Sequence, residues 1–158
     1  MNMNKQLGDI GEKIVAELLN AKFSVNYFDA EKDLIGPNNE TIEVKTQYPL
    51  HHHSGELCTI RANQLKKCLN VDRLVFVTYD ESSQISIYEV PKDRRFNFQT
   101  YTARLFRPTS RQTMHGWRID DMKLLKQFTD SFLARQMQEL SIAKAIKNTL
   151  NKRYNKEK

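Results

Sequence analysis

Asp33 and the pair Glu43-x-Lys45 stand on either side of the stretch LIGPNNETI, so a turn signal separates one carboxylate from a carboxylate and an ammonium. On a strand, residues two apart share a face. Glu43, Lys45 and Gln47 therefore point one way, and Ile42, Val44 and Thr46 the other. The run Gly36-Pro37-Asn38-Asn39 is a turn that folds Asp33 back beside Glu43 or Val44, which puts two carboxylates within reach of one divalent ion. A hard cation such as Mg2+ takes carboxylate oxygens, keeps several waters and bridges to phosphate. It lowers the pKa of a bound water and stabilises charge on a leaving oxygen. Lys45 beside it would orient the attacking water or neutralise a pentavalent phosphorus centre. Alternating charges also decorate ordinary surface hairpins, and both readings stand on these residues alone.

The elements that must hold this cluster are readable from periodicity. Over residues 6–21, Leu7, Ile10, Ile14, Val15, Leu18 and Leu19 fall within one arc of an amphipathic helix. Gly8 and Gly11 lie in the same arc, where the lack of a side chain lets a helix lie close to a sheet. Glu12 sits at the edge of that arc. Residues 23–28, the DLI segment and TIEVKTQ read as three strands, 61–69 as a short helix, and 73–79 and 84–90 as two strands joined by a turn. Residues 92–118 read as short strands and loops, and from Asp120 a helical pattern runs through Leu125, Phe128, Phe132, Met137, Leu140, Ile146 and Leu150. The expected fold class is α/β (α+β): a mixed β-sheet flanked by helices, with a basic helical C-terminal extension.

This arrangement resembles the PD-(D/E)xK (restriction-endonuclease-like) nuclease superfamily, whose core is an α-β-β-β-α-β unit with its motif on a β-hairpin. The resemblance covers roughly residues 6–80, and GEKIVAELL is similar to the first helix of archaeal Holliday-junction resolvases. It implies that Asp33, Glu43 and Lys45 are the catalytic motif and that Glu12 completes a metal site with Asp33 and Glu43. It also implies that Gln47 lies near the metal or phosphate. The ion implied is Mg2+, with Mn2+ able to substitute. Lys32 stands where many members carry a proline.

Composition frames the partner. A length of 158 residues suits one domain, with residues 1–91 as the core bearing the 33–47 hairpin and 92–158 completing it. The net charge of +6 is uneven: 1–91 hold 9 Lys/Arg against 13 Asp/Glu, and 92–158 hold 16 against 6. That asymmetry suits a polyanion held by one region while chemistry occurs in another, although a solvated lysine-rich helix has the same composition. No apolar run approaches a membrane span, and the absence of an apolar leader together with only two cysteines points to a cytoplasmic protein, prokaryotic or phage-like.

DNA, chiefly double-stranded, is the expected partner. His51, His52 and His53 follow the motif strand; consecutive residues cannot all face one ion from a strand, so phosphate or base contact and a plain exposed loop are the two readings. Arg61, Asn63 and Gln64 carry groups that pair with base edges, although a capped surface helix has the same sequence. Arg94, Arg95, Arg104, Arg107, Arg111 and Arg118 fall in a stretch of 25 residues without an acid, 94–118, and are expected phosphate contacts, Arg104, Arg107 and Arg111 above all, whereas the interleaved aromatics are expected to complete the core. Cutting both strands of a duplex calls for two sites, hence a homodimer or homotetramer, with the apolar stripe of the last helix as a candidate interface. The leading expectation is a Mg2+-dependent endonuclease cutting a specific site, of restriction or homing type. A Holliday-junction resolvase or other structure-specific nuclease, and a non-catalytic nucleic-acid-binding module, are the alternatives.

Overall fold

The computed structural model describes residues 3–23, 34–52, 55–104 and 111–143. Helix α1 (Met3–Leu19) carries the apolar arc. It stops because Asn20 adopts φ 52° and the Ala21 N–H bonds to the Ala16 carbonyl at 2.9 Å, which closes the last turn with a left-handed residue. The strands β1 (Lys22–Phe23), β2 (Leu34–Ile35), β3 (Thr41–Gln47), β4 (Leu50–His52) and β5 (Gly55–Arg61) follow. A 3-10 turn (Ala62–Gln64) leads into α2 (Leu65–Asn70). Next come β6 (Arg73–Tyr79), β7 (Gln84–Val90), β8 (Gln99–Arg104), β9 (Arg111–Arg118) and β10 (Lys123–Thr129). A third helix, α3, covers 131–143.

The chain is a mixed α+β protein with two sheets. The larger has the order β1-β2-β3-β6-β7-β10; among the described residues its pairings are antiparallel except β3 with β6. The smaller is antiparallel, in the order β4-β5-β9-β8. One face of the large sheet (Ile42, Val44, Val75, Val77, Ile85, Ile87) is covered by α1 through Leu7 and Val15 and by α3 through Ala134 and Met137. The opposite face (Leu74, Phe76, Val90) is covered by α2 and the small sheet through Cys68, Cys58, Ile60 and Trp117. Gly11 is the closest approach of α1: a Cβ there would lie 1.7 Å from Thr46 Oγ1 on β3. Gly8 has open space around it, so only one of the two glycines is needed for the helix to lie close. No helix among the described residues is long and apolar enough to cross a membrane.

Three expectations need correction or restriction. Instead of a histidine loop, Leu50–His52 and Gly55–Arg61 are paired strands, with Leu50 opposite Leu57 and β5 paired to β9; His53 lies outside the described residues. The segment from Lys123 to Thr129 is an edge strand rather than the start of a helix. A register shift between Leu124 and Lys126 inserts an extra residue opposite β7, and such a bulge lets Leu125 and Phe128, three apart, both pack on the core. Their helix-like spacing is thus produced by a strand. The true helix begins after Asp130, whose carboxylate accepts from the Leu133 N–H at 3.0 Å, an N-cap. Of the expected strand 23–28 only Phe23 is described, and the basic residues 144–158 also lie outside the described residues.

Candidate active site

Strand β3 lies between β2 and β6, so its polar face is held in the middle of a sheet. Glu43 is 1 % exposed, and its carboxylate meets two ammonium groups: Lys45 Nζ is 3.0 Å from Oε1 and Lys67 Nζ is 2.9 Å from Oε2. Lys45 comes from the same strand face; Lys67 reaches in from α2. A buried carboxylate without such partners would carry a desolvation cost of several kcal/mol, roughly that scale being why charges in protein interiors are paired. Gln64, in the turn before α2, accepts from Lys45 Nζ through Oε1 at 2.9 Å. The helix and its leading turn therefore fix both ends of a Gln64–Lys45–Glu43–Lys67 chain.

Gln47 ends the same face. Its Nε2 donates to the Thr59 carbonyl at 2.7 Å and its Oε1 accepts from the Thr59 N–H at 2.6 Å. The amide thus pairs with one peptide of β5 as a neighbouring strand would, and links the two sheets. Thr41, at the other end of β3, is held by Asp72: the Thr41 N–H donates to Oδ2 at 2.8 Å, and the Asp72 N–H donates to Thr41 Oγ1 at 2.9 Å. The Thr41 N–H holds the Asp72 carboxyl below its ordinary value, helped by the Thr41 hydroxyl and Lys92 and opposed by partial burial.

The other expected site residues fall in different places. Asp33 lies outside the described residues. The ladder pairs Leu34 with Ile42, and Asp33 and Glu43 are the residues next to that pair in sequence. The turn between is tight: the Gly36 N–H bonds to the Glu40 carbonyl at 2.8 Å, and Asn39 takes φ 62°. Glu12 is half-buried on α1, beside Gly11. His51 is exposed on β4, with Nδ1 3.5 Å from Glu56 Oε1; the backbone of His52 pairs with Gly55, and His53 lies outside the described residues. Arg61 and Asn63 are exposed just before α2, on the element that delivers Gln64 and Lys67.

Arg104 and Arg111 are opposite one another on the β8–β9 ladder, and Arg107 lies outside the described residues. Three other arginines of this segment have partners within the chain. Arg94 is 3.7 Å from Asp121, and Arg118 is 4.0 Å from Asp120. Arg95, expected among the phosphate contacts, is 2 % exposed; it donates to the Val71 carbonyl and, at 2.8 Å, to that of Asp72, closing the end of α2. Burial holds its pKa below the ordinary guanidinium value. Trp117 donates to the Arg95 carbonyl at 2.9 Å and is buried, as expected of a core aromatic, whereas Phe96 is exposed.

Lys67 is the residue that sequence reasoning missed. It looks like any helix-surface lysine, and only the docking of α2 on β3 turns it toward Glu43. A polar cavity of 230 Å3 lies elsewhere, against Tyr48, Thr78 and Tyr88; Glu56 and Asp80 also line it, a charge unsuited to phosphate. A scan against protein-family models finds no match for this chain, and a search of curated proteins finds none either.

Proposed function

We propose that the chain is a Mg2+-dependent DNA endonuclease with a restriction-endonuclease-like core. The observation that carries this reading is the Glu43 carboxylate, buried in the middle of the sheet with a cation against each oxygen. A side chain that serves packing alone has no need of a charge there, and a buried apolar residue of similar volume would be as stable or more so. Carboxylate oxygen is the donor type a hard divalent ion takes, and an ammonium now stands beside each of the two Glu43 oxygens. Glu43 and Asp33 would hold the ion; Glu12 stands on α1, which covers the other face of β3, and would join them only around the edge of the sheet. When bound, the ion supplies Lewis-acid polarisation of the phosphate and a more acidic water.

The chain's own groups do the rest. Lys45, held by Gln64, keeps an ammonium beside the Glu43 carboxylate, where charge developing on a phosphorane oxygen is stabilised. Gln47 fixes the end of the motif strand against β5 and so positions Lys45 rather than meeting substrate. Arg104 and Arg111, opposed on the β8–β9 ladder, supply phosphate contacts that set affinity and salt dependence without reading sequence.

Duplex cleavage at a specific site by a homodimer or homotetramer is the preferred form. Of the apolar stripe expected as its interface, Leu125, Phe128, Met137 and Leu140 pack in the chain's own core, Phe132 is exposed, and Ile146 and Leu150 lie outside the described residues. Plasmid nicking in Mg2+ and in EDTA tests the reading, with Lys45→Ala and Asp33→Asn beside the wild type. Metal-dependent cutting that both variants lose is the expected result. Cutting that survives both changes would remove the site assignment. Binding without cutting of duplex, junction and flap substrates would leave a non-catalytic binding module, and preference for four-way junctions would make it a resolvase.

A further inference from the structure

Two ammonium groups surround one buried carboxylate, and only one of them is accounted for by the reading above. Lys45 occupies the position on the motif strand, and Gln64 Oε1 anchors it at 2.9 Å. Lys67 comes from another element and takes the other oxygen, Oε2, at 2.9 Å. Its side chain is 20 % exposed, so the ammonium is shielded from water but not sealed from it. Each oxygen of the buried carboxylate thus has an ammonium within 3.0 Å. That is an unfavourable place for a third cation, yet the proposed reaction needs one.

We propose that Lys67 is a positioning residue that acts as a placeholder for the divalent ion: its ammonium holds Glu43 Oε2 until metal arrives, and competes with metal for that oxygen. The proposal rests on Glu43 being a metal ligand. A fixed charge such as an arginine fork would resist displacement, whereas lysine is a point charge on a flexible four-carbon stem. Such a stem can retract its head to solvent while its methylenes stay packed. In the absence of metal, Lys67 prevents an uncompensated negative charge in the interior and ties α2 to β3. In its presence, the repulsion between an ammonium and a doubly charged ion a few ångströms apart lowers metal affinity, at an effective dielectric of about 20, by a factor of ten or more. The device sets the concentration of divalent ion at which the site fills.

The test is isothermal titration calorimetry of the full chain with Mn2+, without DNA, so that cleavage is not the readout. Lys67→Met should bind Mn2+ at least about tenfold more tightly than wild type, and Lys67→Arg, whose fork keeps the charge and resists displacement, should bind it no more tightly than wild type. The Lys67→Met protein should also melt at lower temperature in EDTA and regain the loss as Mn2+ is added, because a ligand bound to the native state stabilises it by mass action. If Lys67→Met does not fold, Lys67→Gln serves in its place. Wild type too weak to titrate beside a variant that binds supports the proposal. Unchanged or weaker Mn2+ binding by both neutral variants, with wild type binding well, overturns the placeholder and leaves the nuclease reading standing. Absence of Mn2+ binding from wild type and variants alike removes both.

Discussion

The two faces of β3 are built from alternate residues of one seven-residue strand and answer to different demands. On one face Ile42, Val44 and Thr46 meet α1, and a glycine lets the helix backbone come close. On the other, Glu43, Lys45 and Gln47 meet side chains and peptides from β5, the turn before α2 and α2 itself. The first face could be rebuilt with other apolar residues of similar volume at small cost. The second is charged where burial disfavours charge, and no packing argument requires that. A strand can thus anchor itself with one set of residues and hold a charged constellation in place with the other.

Substitutions that separate the two faces give the sharpest tests. The largest effect is expected for Lys45→Met, which should reduce Mg2+-dependent cleavage by about a hundredfold or more, as loss of one electrostatic stabiliser does. Its urea midpoint should fall only modestly, since Lys67 still ties Glu43 to α2. A comparable fall in both quantities would erase the distinction between the faces. Next comes Gly11→Ala, whose new Cβ would meet Thr46 Oγ1 at 1.7 Å and force α1 outward; equilibrium unfolding should show a loss of about 1–3 kcal/mol. Gly8→Ala on the same helix meets open space and should instead gain up to about 1 kcal/mol from helix propensity. If both glycines respond alike, the close approach is not what the structure describes.

Gln47→Ala breaks the bonds to both polar groups of the Thr59 peptide and should destabilise by about 1–2 kcal/mol, with cleavage falling as Lys45 loses its fixed position. The smallest effect concerns pH. Asp72 has a native pKa below its ordinary value, so its contribution is present above the unfolded value of about 3.9 and disappears as pH falls through the lower native value. Asp72→Ala should flatten the acid limb of stability against pH between pH 2 and 5, roughly the range where aspartate titrates; an unaltered limb would show that the Thr41 contacts do not hold the carboxylate.

Much of the large sheet was legible because its signals are local. The apolar arc of α1, the turn at 36–39 and the apolar run of β6 each decide their own conformation. The small sheet was not legible. Residues 50–56 contain three histidines, a serine and a glycine, which look like loop, and β5 is held by β9, more than fifty residues away. Strand β10 was masked by its bulge, which reproduces a helical spacing on an extended chain. Glu43 and Lys45 stood out through alternation alone. Lys67 and Gln64 could not be assigned to the same cluster from sequence, because their place depends on how a six-residue helix docks rather than on any spacing. Arg95 was misjudged for the opposite reason: a basic stretch suggests a surface, and nothing in the chain order announces that one guanidinium closes a helix end.

The two hydrogen bonds between Gln47 and Thr59 have a mechanical outcome. Among the described residues no ladder joins β3 to β5, yet the Gln47 amide ties the motif strand to the outer hairpin. A load applied to that hairpin, as when a bulky polymer presses on it, is delivered two residues from Lys45. The ammonium would register contact made at a distance.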